Sequence, residues 1–496
     1  MQPLKALRSY LKHSPGRTAC LVAAAAYTIF FFVLQVRLHK GVHMELYDLA
    51  LFDQAMYNSL QGRFLETTLR YPEGGSLFAE HFYLIMVVVL PLYALFRHTY
   101  LLFFLQALAG GAGAILIFFL AKDILGSELA ATCLAISYLL HPSVQGATLN
   151  LLVLGFHPDN FYPPLFLSGF YFLRARKWGW CGFFFLLALA VHETYALLLM
   201  ALGLYLYIRG RDRRVGSTIF LVSTLWFVVG TWVIVPHFRG GATPWYFAAI
   251  DRMGDLLRNP LTLYPDLPRY FLVLFAPLLF LPLFSPAFLM VAGPNFLINL
   301  TAIGVHYSLP MEPTSWHVCT MIPIVFISTV LGLRNLSDLM RYWLPKETFM
   351  KVGASLVLLA SASFSYWFGP LPVSHGADSA CNGASCFTVD KSLVRSVDEL
   401  KSLIPEEASL ASSQYLGSQF TQRRTLLPIR RRQLIWGDIP QIWEKADYIL
   451  LSLNPEVEHP VFPVYQKLHN LLCENPDYEL LYSENDIWLF KREEEE

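Results

Sequence analysis

Apolar runs of about 20 residues recur along this chain, split by short charged or proline-rich stretches, and each is near the length that crosses a bilayer's hydrocarbon core. That pattern constrains the fold more than any other feature. Of the 496 residues, 55% are hydrophobic and 15% charged, against roughly 25% charged in an ordinary soluble domain. The chain therefore reads as a polytopic membrane protein. Lys plus Arg and Asp plus Glu both number 37, so no basic excess is available for a nucleic-acid backbone, and no nucleic-acid partner is expected. The first run, Cys20 to Val36, follows Lys5, Arg8, Lys12 and Arg17. It is too long for a secretory signal and lacks a small-residue cleavage site, so it reads as a retained span with a cytoplasmic N-terminus.

Charge sets the topology of the rest. The basic clusters Arg174–Lys177 and Arg209–Arg214 should both lie inside. The stretch Trp178 to Ile208 between them must then enter and return, as a helical hairpin with His192, Glu193 and Thr194 at its outer tip or at depth. Counting from these anchors gives spans near Leu101–Ala121, Glu128–Gly146, Phe161–Leu173, Val215–Val235, Tyr270–Phe284, Ser285–Ala302, His317–Leu333 and Val352–Phe368. Phe82 to Phe96 carries Pro91 and has no crossing to make, so it reads as an interfacial helix within a long first outer segment, 38–98. The expectation is a mainly α architecture of about eleven membrane helices, N-terminus in and C-terminus out, in the cytoplasmic (inner) membrane.

Composition changes after residue 368. The predicted transmembrane domain is 1–368, and 369–496 forms a small extracytoplasmic α/β domain. LVRSVDELKSLI and VYQKLHNLL have helical spacing, ASLASS and ADYILLSL read as strands, and YELLYSENDIWLFK as a hairpin turning at Ser483 to Asp486. Cys381 and Cys386, in CNGASC, leave a local disulfide open in this segment. Cys20, Cys133, Cys181 and Cys319 sit in apolar runs as small hydrophobes.

Polar residues against a bilayer face are costly unless capped, paired or used. MELYDLALFDQ places Glu45, Asp48 and Asp53 just after the first span, at the start of a helix ending near Gly62. From spacing alone Asp48 reads as a helix N-cap and Asp53 as a solvated position. Topology brings Glu80, His81, His157, Asp159, Arg239, Arg252 and His306 to the same side. His192 and Glu193 either brace the hairpin or serve the site. Carboxylates on the first segment with cations on later loops suit transfer from an anionic lipid donor. A carboxylate takes an acceptor proton while cations stabilise the departing phosphate.

Several stretches resemble an uncharacterised prokaryotic family of predicted membrane proteins placed near the GT-C superfamily of integral-membrane glycosyltransferases. They are YDLALFDQAMYNSLQGR, AEHFYLIMVVVLPLYALF, LVLGFHPDNFYPPLFLSGFYFL, LALAVHETYALLLMALGLYLYIRGR, PNFLINLTAIGVHYS, IPEEASLASSQYLGSQFTQRR and ADYILLSLNP. The resemblance implies a GT-C-like fold and transfer of a sugar from a polyprenyl-phosphate donor to an extracytoplasmic acceptor. It gives Asp48 the place of the essential acid of the first outer loop, and Asp159 that of an acid where a span re-enters. The implied catalytic set is Asp48, Asp53 and Asp159, with Glu80, His81, His157, His192, Glu193, Arg239, Arg252 and His306 binding substrate. Leu49 follows Asp48, so the adjacent acidic pair common in the superfamily is missing. The sequence requires no metal and leaves Mg or Mn open. The alternatives are a transporter or flippase using the HET tripeptide, and a non-catalytic envelope scaffold.

Overall fold

The computed structural model describes residues 14–150, 153–210, 212–242, 244, 258, 266–301, 311–375, 387–429, 446–454 and 462–493. Helix α1 (Pro15–Lys40) opens with a proline, which suits a first helical turn because its missing N–H has no partner there. Glu128 covers this N-terminus. One carboxylate oxygen accepts from Ser14 Oγ at 2.8 Å and Gly16 N at 2.7 Å, placing a negative charge on the positive helix end.

After α1 come α2 (Leu46–Leu60), the two-residue strands β1 (Glu66–Thr67) and β2 (Gly75–Ser76), and α3 (Leu84–Leu95). This last helix matches the expected short apolar element around Pro91. Helix α4 (Tyr100–Leu125) packs tightly on α1 and the following helix. A Cβ on Gly111 would lie 2.4 Å from Thr28 Oγ1, and one on Gly113 would lie 2.3 Å from Tyr138 Oη. Only glycine permits these approaches, as at other small-residue helix contacts in lipid.

The expected span Glu128–Gly146 is instead two helices, α5 (Glu128–Leu140) and α6 (Pro142–Leu149). Pro142 offers no N–H and drives His141 into extended backbone (φ −69°, ψ 128°). His141 then caps α6 by accepting from Ser143 N at 3.2 Å. Helix α7 (Tyr162–Arg174) follows a 3₁₀ turn, Pro158–Phe161. The hairpin forms as α8 (Trp178–Leu189) and α9 (Ala196–Arg209), with His192–Tyr195 at its tip. Helix α10 (Arg213–Val229) runs on through a π-helical turn, Gly230–Ile234, to Phe238. The expected span Tyr270–Phe284 is broken as well. Helix α11 (Leu267–Phe275) gives way to two 3₁₀ turns around Pro277 and Pro282, joined by left-handed Leu279 and Phe280. Then come α12 (Pro286–Leu289), α13 (Gly293–Thr301), α14 (Met321–Leu339) and α15 (Lys346–Phe368).

Among the described residues, five helices are long and apolar enough to cross a membrane: Pro15–Lys40, Tyr100–Leu125, Arg213–Phe238, Trp316–Leu339 and Lys346–Phe368. The shorter apolar helices include Leu84–Leu95, Glu128–Leu140 and Trp178–Leu189.

The C-terminal region contributes α16 (Lys391–Leu403), β3 (Leu410–Ser412), β4 (Leu426–Pro428), β5 (Tyr448–Ser452), α17 (Phe462–Glu474), β6 (Tyr478–Glu484) and β7 (Ile487–Arg492). The sheet order is β4-β3-β5-β7-β6, parallel among the first three strands and antiparallel beyond. Asn485 and Asp486 both take positive φ at the β6–β7 turn, the geometry a two-residue hairpin needs. Alternation gives the sheet two different faces. Ala411, Leu427, Ile449 and Leu451 pack against Tyr465, Leu468 and Leu472 of α17. Leu410, Leu426 and Leu450 on the other face belong to the same core as the membrane helices. Strand β4 and its pairing were not expected from the sequence, and Cys381 and Cys386 lie outside the described residues.

The sheet domain is bolted to the segment between α1 and α4. Leu46 N donates to Gln414 O at 2.8 Å, and Tyr415 Oη donates to Glu45 at 3.0 Å. Gln54 Nε2 donates to Arg424 O at 3.1 Å, and Thr68 Oγ1 bonds both Leu426 N and Leu426 O.

Candidate active site

A cavity of about 350 Å³ opens among α2, the 80–83 segment, the 153–159 loop, the hairpin tip, α13 and Trp316–His317. Asp48 stands in the first turn of α2 and lines it. The N-cap expectation does not hold: Glu45 occupies the cap, and no side chain caps this helix. Asp48 is only 8% exposed, and its Oδ2 has no hydrogen-bond partner among the described residues. Burial pushes its pKa up, against the opposing pull of His157 and Arg70.

Asp159 lies on the same cavity, with Oδ2 2.8 Å from His157 Nδ1. Burial would raise this acid too, but the imidazoles around it, His157 first and then His192 and His317, together hold it below the usual carboxylate range. Two buried acids are thus driven apart, one toward protonation and one toward ionisation. That split is the usual physical basis for distinct acid and base roles.

The His157–Asp159 loop is held from within the bundle. Gln106, fully buried on α4, accepts from His157 N at 2.7 Å. Its amide nitrogen donates to Gln35 Oε1, Thr148 O and Gly155 O. Gln106→Ala should orphan this set and cost about 2–4 kcal/mol, read as a lower melting temperature of purified protein. The His157 ring stacks on Trp316 at 4.7 Å, and Trp316 on His317 at 4.5 Å.

At the hairpin tip, Glu193 is fully buried. Its Oε1 lies 2.8 Å from His81 Nδ1, and its Oε2 accepts from Phe82 N at 2.9 Å. The His81 and His192 rings are 4.0 Å apart. His81, His192 and Glu193 each offer a ligand atom within 4.8 Å of the others. Glu80 accepts from Tyr71 Oη at 3.0 Å and lies 3.8 Å from Arg70 Nε.

The cavity therefore gathers Asp48, Asp159, Glu80, His81, His157 and His192, with Glu193 directly behind His81. Asp53 does not line this cavity. Five positions after Asp48, it points roughly 140° away around the helix. There it accepts from Tyr93 Oη and Thr99 Oγ1, each at 2.7 Å, and from Thr421 Oγ1. It is fully buried rather than solvated, and it ties three elements together outside the cavity. Arg239 is not among the lining residues; its Nη1 reaches Ala79 O at 3.4 Å. Arg252 and His306 lie outside the described residues.

Sequence reasoning missed Arg70, Tyr83, Tyr195, Asn295 and Asn299, which also line the cavity. The asparagines carried a readable signal, since two amides four apart on an apolar helix share one face. Asn295 Nδ2 donates to Thr194 O, and its Oδ1 has no partner among the described residues.

A family profile described as "Predicted membrane protein (DUF2079)" matches residues 42–488. The chain belongs to this family. The match takes in the cavity and most of the sheet domain, so the DUF2079 region starts just after α1 and ends as β7 begins. No curated protein matches the chain. Among solved structures, this DUF2079 member is similar to ArnT from Cupriavidus metallidurans bound to undecaprenyl phosphate. The identity is 13% and the TM-score 0.49, over 95% of this chain and 97% of that one.

Proposed function

We propose that the chain is a membrane glycosyltransferase that moves a sugar from a polyprenyl-phosphate donor to an acceptor on the extracytoplasmic face. The observation that carries the reading is the Asp48 carboxylate oxygen, unpartnered among the described residues, on a cavity that also holds the Asp159–His157 pair. The GT-C resemblance of the sequence points the same way, and a cavity shared by both acids favours an enzyme over a scaffold.

In this mechanism Asp48 accepts the proton of an acceptor hydroxyl as that oxygen bonds to the anomeric carbon. The carbon–oxygen bond to phosphate breaks, and polyprenyl phosphate leaves with the electron pair. Arg70 and His317, both on the cavity wall, are placed to balance the phosphate charge. Asp159 stays ionised and fixes His157.

The orientation follows from charge. Lys122–Glu128 (3.1 Å), Arg174–Asp123 (2.7 Å) and Arg176–Asp212 (3.9 Å) gather at helix ends remote from the hairpin tip. The positive-inside rule makes that end cytoplasmic, with the N-terminus inside and the sheet domain outside. In this reading the membrane is the cytoplasmic (inner) one, and the polyprenyl tail shares it.

In nanodiscs with labelled polyprenyl-phosphate sugars and an envelope extract as acceptor, the protein is expected to release polyprenyl phosphate and glycosylated product. Uptake into sealed vesicles with no product would replace this reading with a transporter.

A further inference from the structure

We propose that His81, His192 and Glu193 form a binding site for a divalent transition-metal ion of the zinc type beside the cavity. The three ligands come from two distant parts of the chain, His81 ahead of α3 and the other two at the α8–α9 tip. They converge with every ligand atom within 4.8 Å of the others. Bonds of about 2.0–2.1 Å around zinc place ligand atoms roughly 3.4 Å apart, so small rotations of these side chains close the site.

Two imidazoles and one carboxylate suit zinc and its neighbours better than magnesium or calcium, which prefer all-oxygen sets. Among the described residues three protein ligands converge, one short of a tetrahedral set. His81 and His192 both line the cavity, so the fourth position faces the space shared with Asp48 and Asp159.

The surroundings hold the ligands as metal sites do. Glu193 keeps its second oxygen on Phe82 N–H, leaving the first toward His81. His192 Nδ1 lies 2.9 Å from Thr194 Oγ1 and 3.2 Å from Thr194 N, which fixes the ring plane. Helix α10 gives way at the same spot. Its π turn begins at Gly230, where a Cβ would lie 2.8 Å from Glu193 Cβ. Such single π turns recur at functional sites.

The role of the ion rests on the transfer reading above: its open position would take a phosphate oxygen of the donor. Its binding does not rest on that reading, and the experiment reads binding directly. Protein purified through a histidine-free tag is assayed for metal content, stripped with chelator, and titrated with Zn²⁺ by calorimetry and with Co²⁺ by visible absorption.

One ion per chain is expected, with a tetrahedral Co²⁺ band and a higher melting temperature on Zn²⁺ addition. H192A and E193Q should each weaken binding by at least ~100-fold. H192Q serves as the second variant should H192A fail to fold. Metal content far below one per chain with no Co²⁺ band overturns the site, as does stoichiometric binding that these variants leave unchanged. Binding without any sugar transfer keeps the site and removes the transferase reading. Full transfer by the stripped protein removes the phosphate-anchoring role.

Discussion

Asp48→Asn is expected to lower transfer by about 10²–10⁴-fold while making the folded protein more stable. The substitution keeps size and shape but removes the acid that would take the acceptor proton. The stability gain follows from the carboxylate's surroundings. It is almost wholly buried, one oxygen has no partner among the described residues, and burial raises its pKa.

A carboxylate with a raised folded-state pKa favours the folded state at low pH, below the ordinary value of about 3.9, and loses that contribution as pH rises through the raised value. At neutral pH the buried charge is therefore a liability, and asparagine should add about 0.5–2 kcal/mol. A helix N-cap would instead be nearly indifferent to this change, because asparagine caps a helix about as well as aspartate. Paired melting and transfer measurements separate the two outcomes. The same sign predicts that the acid limb of the transfer rate falls off above the ordinary aspartate range. A fully active Asp48→Asn protein would remove the assignment.

Asp53→Ala should act in the opposite sense, with a loss of about 3–5 kcal/mol and early protease cleavage near the sheet domain. Its carboxylate accepts from Tyr93 on α3, Thr99 just before α4, and Thr421 of the C-terminal region. Alanine leaves three buried hydroxyls without their acceptor, whereas asparagine keeps one acceptor oxygen and should lose less. Limited proteolysis and melting of purified protein test both variants. An Asp53→Ala protein as stable and protease-resistant as wild type would show that this junction contributes little.

The contrast between these two acids shows what the sequence could and could not reveal. Both sit just past the first span and look alike in one dimension; only the helical rotation between them sends one to the cavity and the other to a structural junction. Signals confined to a few residues were readable. The 483–486 turn, the α16 and α17 patterns and the hairpin around His192 were all expected, because turn chemistry and periodicity act locally. Pro142 and Pro277 carried an equally local warning against continuous helices there, and it went unread. No local pattern could pair Thr68 with Leu426 or Gln54 with Arg424, since those bonds join positions more than 350 apart and depend on the assembled core.

The bolting of the sheet domain onto α2 also sets the order in which a ribosome can complete this molecule. Translation delivers the N-terminal part first, so Gln54 and Thr68 emerge long before residues 414–426 exist to complete their bonds, and Asp53 has Tyr93 and Thr99 well before Thr421. The cavity wall carrying Asp48 would stay provisional until the final stretch is made. A chain arrested after α15 would lack the partners that the sheet domain gives to Glu45, Gln54 and Thr68, and would leave those polar groups uncovered.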